Sequence, residues 1–146
     1  MKVALAGPGA FGVKHLDSIA VQDNVDVVAL IGRTREKTRA VADDYGVTHA
    51  FTDLEDALAL PEVDAVILCT PTQQHANEAV RCMRAGKHVQ VEIPLADSLP
   101  EAQRVADVQR ETGLVCLVGH TRRFNPSHQW VRRRIDSGDC PGQWYR

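Results

Sequence analysis

Short apolar runs alternate along the chain with segments of helical composition. The runs are five to seven residues long and rich in valine, leucine, isoleucine and alanine, which is typical of strands buried on both faces. We predict six strands on this basis, over residues 2–6, 25–31, 47–51, 65–69, 87–91 and 114–118.

The segments between these runs carry signals for the start and end of helices. Thr34, Asp53 and Thr72 are candidate N-caps, and Ser98 with Glu101 forms the Ser-x-x-Glu pattern of a capping box. Several segments also end at a glycine, which favours the close of a helix. We predict helices over residues 11–21, 35–45, 54–60, 73–85 and 98–112, and from 125 to about 138.

Strands that alternate with helices indicate a parallel sheet, because parallel neighbours need a crossover connection. Right-handed crossovers on both faces give a doubly wound α/β sheet, the Rossmann arrangement, for which the strand order 3-2-1-4-5-6 is expected. Ligands bind such sheets at the carboxyl ends of the strands, near the switch between strands 1 and 4. Candidate functional residues should therefore follow the strands.

Composition excludes several classes of partner. The 146 residues have a net charge of −2, so neither nucleic acid nor an anionic membrane surface is expected to bind. No apolar stretch approaches the ~20 residues needed to span a bilayer. Cys69, Cys82, Cys116 and Cys140 contain no Cys-x-x-Cys pair, so we expect reduced thiols, no metal site and a cytoplasmic location.

The first predicted crossover contains a glycine motif with a known mechanism. Gly7, Gly9 and Gly12 form Gly-x-Gly-x-x-Gly directly between a strand and a helix. Gly7 permits the tight turn, Gly9 lets a pyrophosphate approach the backbone, and Gly12 lets the helix pack on the strand. The N–H groups at the helix start, including those of Ala10 and Phe11, supply an anion site. We therefore predict dinucleotide binding.

The end of strand 2 distinguishes between two dinucleotides. An NAD site usually has an acidic residue there to bind the ribose 2′-hydroxyl, but this chain has Gly32 followed by Arg33, Thr34 and Arg35. The absence of a carboxylate removes repulsion of a 2′-phosphate, and an arginine can bind it. We predict NADP in preference to NAD, with NAD left possible and simple solvation of the arginines as the alternative.

Two further stretches, VILCTPTQQH and HVQVEIPLA, together with the glycine loop and LVGHTRRFNPSH, resemble the Gfo/Idh/MocA oxidoreductases. The resemblance implies a nicotinamide-dependent dehydrogenase. It implies that Thr70, Pro71 and His75 form a wall of the cofactor site, and that Glu92 lies beneath the nicotinamide end. The alternatives from the residues alone are a solvated His75 and an exposed, merely structural Glu92.

The family usually has lysine where this chain has Ile93, which puts the usual base assignment in doubt. His120 ends strand 6 and is the best remaining candidate for a catalytic proton relay. Arg122 and Arg123 suit a small anionic substrate, because guanidinium binds carboxylates in a bidentate manner, although one of them could form a structural ion pair instead.

The resemblance also predicts a division of the chain. Residues 1–120 would form the Rossmann domain, and residues 121–146 a junction helix and the start of a second, α+β domain that is missing. We expect such a truncated chain to bind NADP weakly, to be inactive alone, and to expose Trp130, Trp144 and Tyr145. A homo-oligomer is possible in a full-length protein.

Three other functions remain open at this point. The chain could be a non-catalytic NAD(P)-binding or regulatory module, or a dehydrogenase of another hydroxy substrate such as a sugar. A methyltransferase also has a glycine loop after its first strand. It generally needs an acid after strand 2, where Gly32 and Arg33 stand.

Overall fold

Six parallel strands form a single sheet in the computed structural model, which describes residues 1–139. The strands are β1 (Lys2–Ala6), β2 (Asp26–Ile31), β3 (His49–Phe51), β4 (Ala65–Leu68), β5 (His88–Val91) and β6 (Cys116–Val118). Their order in the sheet is β3-β2-β1-β4-β5-β6, and every neighbouring pair is parallel. The predicted α/β Rossmann arrangement is therefore confirmed, with the switch point between β1 and β4.

Helices connect the strands at the predicted places. They are α1 (Ala10–Ile19), α2 (Arg35–Asp44), α3 (Leu54–Leu58), α4 (Thr72–Arg84), α5 (Leu99–Thr112) and α6 (Pro126–Asp136). One element was not predicted, a single 3₁₀ turn over Thr121–Phe124 between β6 and α6. So short an element has no periodicity for a sequence pattern to reveal.

The predicted helix caps are correct in part. Asp53 and Ser98 each accept a hydrogen bond from a backbone N–H in the first turn of their helices. Thr34 is the N-cap residue of α2, but its side chain makes no capping bond. The prediction that Thr72 caps α4 is wrong, because Pro71 keeps the extended N-cap conformation and Thr72 is already the first helical residue.

The core lies on both faces of the sheet, with β1 between its two halves. Val3 and Leu5 face a cluster that includes Leu16 of α1, and Ala4 and Ala6 face the larger cluster beneath α3, α4 and α5. All four strand residues are at most 1% exposed. Burial on both faces explains the continuous apolar run, and each buried leucine contributes about 1.5–3 kcal/mol to stability.

The segment after β6 has the opposite character. Every residue from 120 to 139 is exposed, including Phe124 and Trp130. The predicted exposure of Trp130 is confirmed, whereas Trp144 and Tyr145 lie outside the described residues. Within residues 1–139, no helix combines the length and the apolar character that crossing a membrane would require.

Candidate functional site

The glycine loop between β1 and α1 is closed tightly at two of its three glycines. Gly7 has a φ of +87°, and a Cβ there would lie 2.4 Å from the Cys69 carbonyl oxygen. A Cβ on Gly12 would lie 2.2 Å from the carbonyl oxygen of Gly7. Both positions exclude a side chain, because the obstructing atoms are backbone. The turn and the close approach of helix to strand are those that the spacing predicts.

Gly9 is different, because its surroundings are open. No atom lies within 4 Å of a Cβ built there, and Gly9 is exposed. It is also the N-cap of α1, which has neither a side-chain cap nor an acid in its first turn. Within residues 1–139, no backbone oxygen accepts from the N–H groups of Ala10, Phe11 or Gly12. This open, donor-rich helix start fits a diphosphate.

The end of β2 lies directly beside this loop. A Cβ on Gly32 would be 3.2 Å from Cγ of Pro8, so the two turns are in contact. Arg33, Thr34 and Arg35 follow and are exposed. Neither Arg33 nor Arg35 forms an ion pair in the described part of the chain. Two unpaired guanidinium groups next to an anion site produce a positive local potential.

His75 is buried, so the alternative interpretation of His75 as a solvated surface residue is wrong. Its ring is 1% exposed, with Nδ1 2.7 Å from the Pro94 carbonyl oxygen and Nε2 2.7 Å from the Thr70 carbonyl oxygen. The ring therefore links the turn after β4 to the turn after β5, where the Ile93–Pro94 peptide is cis. His75 lies beneath the predicted wall, whereas Thr70 is half-buried and Pro71 is exposed.

Glu92 is paired across the sheet edge with a residue that the sequence did not single out. Oε1 of Glu92 lies 2.7 Å from Nε2 of His15, in α1, and the two side chains are 16% and 21% exposed. A carboxylate only accepts hydrogen bonds, so Nε2 of His15 carries the proton and donates. Glu92 is therefore not the exposed acid of the alternative, and its role in the cofactor site stays a prediction. One signal was available, since His15 follows Gly12 by three residues and so lies on the same face of α1.

Cys69 lies close to this pair. One donor atom from each of His15, Cys69 and Glu92 falls within 4.8 Å of the other two. Burial, and to a smaller extent the Glu92 carboxylate, raises the pKa of the Cys69 thiol to about 12. The thiol is therefore protonated at neutral pH, which disfavours metal binding because a cysteine binds metal as the thiolate. That the cysteines hold no metal stays a prediction.

The residues predicted to act on substrate lie together at the carboxyl edge of β5 and β6. His120, Arg122 and Arg123 line one cavity of about 340 Å³, together with Thr121 and Ile93. Ile93 is 52% exposed and gives the cavity an apolar side. In the described part of the chain, neither arginine has an acidic partner, so the structural ion pair considered for one of them is not formed there.

Comparisons with known proteins identify the family. The GFO_IDH_MocA family model, described as an oxidoreductase family with an NAD-binding Rossmann fold, matches residues 1–120. The 4-carboxy-2-hydroxymuconate-6-semialdehyde dehydrogenase of Sphingobium sp. (strain NBRC 103272 / SYK-6) is 59% identical over 139 residues, which are 95% of this chain and 44% of that protein. The scyllo-inositol 2-dehydrogenase (NAD(+)) of Bacillus subtilis is 31% identical over 95% of this chain and 41% of its own length.

A solved structure gives the same result for the fold. A 3-ketoreductase from Actinomadura kijaniata, in complex with TDP-benzene and NADP, superposes with a TM-score of 0.87 at 27% identity. The match covers 94% of this chain and 44% of that one. The chain thus spans less than half the length of the relatives that it matches, and these relatives include both NAD-linked and NADP-linked proteins.

Proposed function

The chain belongs to the Gfo/Idh/MocA oxidoreductase family, and on that basis we propose that it is the coenzyme-binding part of an NADP-dependent dehydrogenase. The observation that carries the proposal is the open start of α1 beside two unpaired arginines. The N–H groups of Ala10, Phe11 and Gly12 accommodate the diphosphate, and the open side of Gly9 lets it approach.

NADP is proposed over NAD because of the charges at the end of β2. Gly32 stands where an NAD site has its carboxylate, so that particular source of repulsion for a 2′-phosphate is absent. Arg33 and Arg35 are exposed and unpaired in residues 1–139, so they can donate charge-assisted hydrogen bonds to it. Such bonds contribute about 1.5–3 kcal/mol each, or about tenfold to a hundredfold in affinity.

The substrate we propose is the cyclic hemiacetal of 4-carboxy-2-hydroxymuconate-6-semialdehyde, oxidised to 2-pyrone-4,6-dicarboxylate. This is a step in the breakdown of aromatic acids. Support comes from the 59% identity to the Sphingobium dehydrogenase and from the cavity beside Ile93. Arg122 and Arg123 line that cavity and have no acidic partner among residues 1–139, so they suit a substrate with several carboxylates.

NADP⁺ supplies the hydride acceptor in this reaction. His120 takes the proton of the hemiacetal hydroxyl as the C–H hydride leaves and the C=O bond forms. Arg122 and Arg123 orient the carboxylates, and the apolar side chain of Ile93 helps to exclude water from the reacting carbon. Glu92 is positioned by its hydrogen bond from His15, and its second carboxylate oxygen accepts a hydrogen bond from the nicotinamide ribose.

The proposal is tested with a form of the protein that spans the full length of its relatives. We expect it to reduce NADP⁺ when given the semialdehyde and to release the pyrone dicarboxylate, measured by absorbance and by mass spectrometry. His120→Gln should lower kcat much more than it raises KM for NADP⁺. scyllo-Inositol with NAD⁺ is the comparison substrate, and faster turnover of that pair would contradict the proposal.

A further inference from the structure

Gly32 is a glycine for reasons of space, not of backbone conformation. Its φ is not positive, unlike those of Gly7 and four other glycines, so an L-residue could adopt its conformation. A Cβ there would lie 2.3 Å from Oγ1 of Thr38 and 3.2–3.3 Å from the ring of Pro8. The 2.3 Å distance is far below any normal contact, and Thr38 is therefore the main obstacle to a side chain at position 32.

Thr38 cannot easily move out of the way. It lies in the first turns of α2 and is 1% exposed. Its hydroxyl donates a hydrogen bond of 2.9 Å to the carbonyl oxygen of Thr34, which lies between Arg33 and Arg35. Rotation about χ1 to either of the other staggered rotamers breaks this bond, and one of the two places the Cγ2 methyl where Oγ1 stands. Thr38 thus fills the space beside Gly32 and also fixes the turn that carries the arginines.

We propose that Thr38 is a specificity-determining residue of the coenzyme site. Thr38 occupies the volume beside position 32. An acidic side chain at position 32 therefore cannot take the position in which it would bind the ribose 2′-hydroxyl. An exchange of Gly32 for an acid is therefore insufficient to convert the site to NAD unless Thr38 is shortened as well. This inference rests on the proposed preference for NADP.

Coenzyme binding tests the inference directly, using Gly32→Asp, Thr38→Ala and the double variant, each titrated calorimetrically with NADP⁺ and NAD⁺. Gly32→Asp alone should lose NADP⁺ affinity without gaining NAD⁺ affinity. The double variant should bind NAD⁺ about tenfold or more tightly than Gly32→Asp does, as expected for one added hydrogen bond to a charged group. Tight NAD⁺ binding by Gly32→Asp alone would overturn the inference.

A second measurement does not depend on any coenzyme. Gly32→Ala adds the Cβ without a charge, so its effect on the melting temperature should be larger in the wild type than in Thr38→Ala. Thr112→Ala is the matched control, because the Thr112 hydroxyl makes the same kind of bond, to the Val108 carbonyl oxygen four residues back, far from Gly32. Its effect should add to that of Gly32→Ala.

The two sets of results separate the inference from the proposed function. Equal effects of Gly32→Ala in the wild-type and Thr38→Ala backgrounds would overturn the packing relationship, and with it the role of Thr38. Tighter binding of NAD⁺ than of NADP⁺ by the wild type would instead contradict the proposed coenzyme, even where the stability coupling between the two positions is present.

Discussion

His15, in the helix that follows the glycine loop, donates a hydrogen bond of 2.7 Å to Glu92, at the end of β5. The bond joins the helix that would hold the diphosphate to the turn that would lie beneath the nicotinamide. Both side chains are half-buried, so water competes less for either partner than it would at the surface. One oxygen of the carboxylate at the mouth of this buried strand is thus bonded before any ligand binds.

His15→Leu, which removes the donor, should weaken coenzyme binding by disordering Glu92. The loss of one partner of a partly buried charged hydrogen bond costs about 1–3 kcal/mol. We expect the coenzyme Kd to rise by about tenfold, with a smaller change in melting temperature. Ser18→Ala, which removes an exposed hydroxyl from the same helix, is the control and should change neither quantity. An unchanged Kd in His15→Leu would show that the pair does not position Glu92.

The arginines after β2 should affect the two coenzymes differently. Arg33→Ala and Arg35→Ala each remove a cation that would face only a 2′-phosphate. The Kd for NADP⁺ should rise by about tenfold to a hundredfold for the more important of the two, while the Kd for NAD⁺ stays nearly constant. Arg104→Ala, an exposed arginine of α5, is the control. Equal losses for both coenzymes would assign the arginines another role.

Two glycines of the same loop should respond in opposite ways. Gly12→Ala forces a Cβ against the Gly7 carbonyl oxygen and should destabilise the fold by about 1–3 kcal/mol, as overpacking does. Gly9→Ala meets no atom within 4 Å, so it should leave the free energy of unfolding nearly unchanged and still weaken coenzyme binding. Urea unfolding of the two variants measures the change in stability, and coenzyme titration measures the change in affinity. A stable Gly12→Ala would contradict the packing described here.

The buried thiols make stability depend on pH in the alkaline range. Burial, and to a lesser extent Glu78, raises the pKa of the Cys82 thiol from 9.0 to about 12. The thiol of the unfolded chain therefore ionises at a lower pH than the thiol of the folded chain. The contribution of the buried, protonated thiol to the free energy of unfolding is fully present below pH 9 and is lost as the pH rises towards 12. At about pH 10 the loss should be about 1 kcal/mol.

Cys82→Ala isolates this contribution from other groups that titrate in the same range. Urea unfolding at several values between pH 7 and 10 should show a shallower decline for the variant than for the wild type. Parallel curves would mean that the thiol titrates alike in the folded and unfolded chains.

Cys69 should also react slowly with thiol reagents at pH 8, because its pKa is raised to about 12 as well.

The strands and the glycine loop could be predicted because local patterns specify them, and the strand order followed from the crossover rule for a doubly wound sheet. Continuous apolar runs indicate strands buried on both faces, and the spacing of Gly7, Gly9 and Gly12 has one mechanical explanation between a strand and a helix. His120, Arg122 and Arg123 all follow β6, and their proximity to Ile93 after β5 agrees with the rule that strand ends meet at one edge of a parallel sheet.

Other features depend on packing or backbone geometry that the sequence pattern does not specify. The pairing of His15 with Glu92 joins positions 77 residues apart, and that of His75 with Pro94 joins two turns. Thr72 is a residue type that often caps helices, but Pro71 is the N-cap of α4, so the helix begins one residue earlier than predicted. The obstruction of Gly32 by Thr38 requires the packing of α2 on β2, which no local pattern reports.

Calorimetric titration of the purified protein with NADP⁺ and NAD⁺ tests the central claim most directly. If the diphosphate binds over α1 and the 2′-phosphate binds Arg33 or Arg35, NADP⁺ should bind about tenfold or more tightly than NAD⁺ at the same ionic strength. Tighter binding of NAD⁺, or no binding of either coenzyme to the folded protein, would contradict the account.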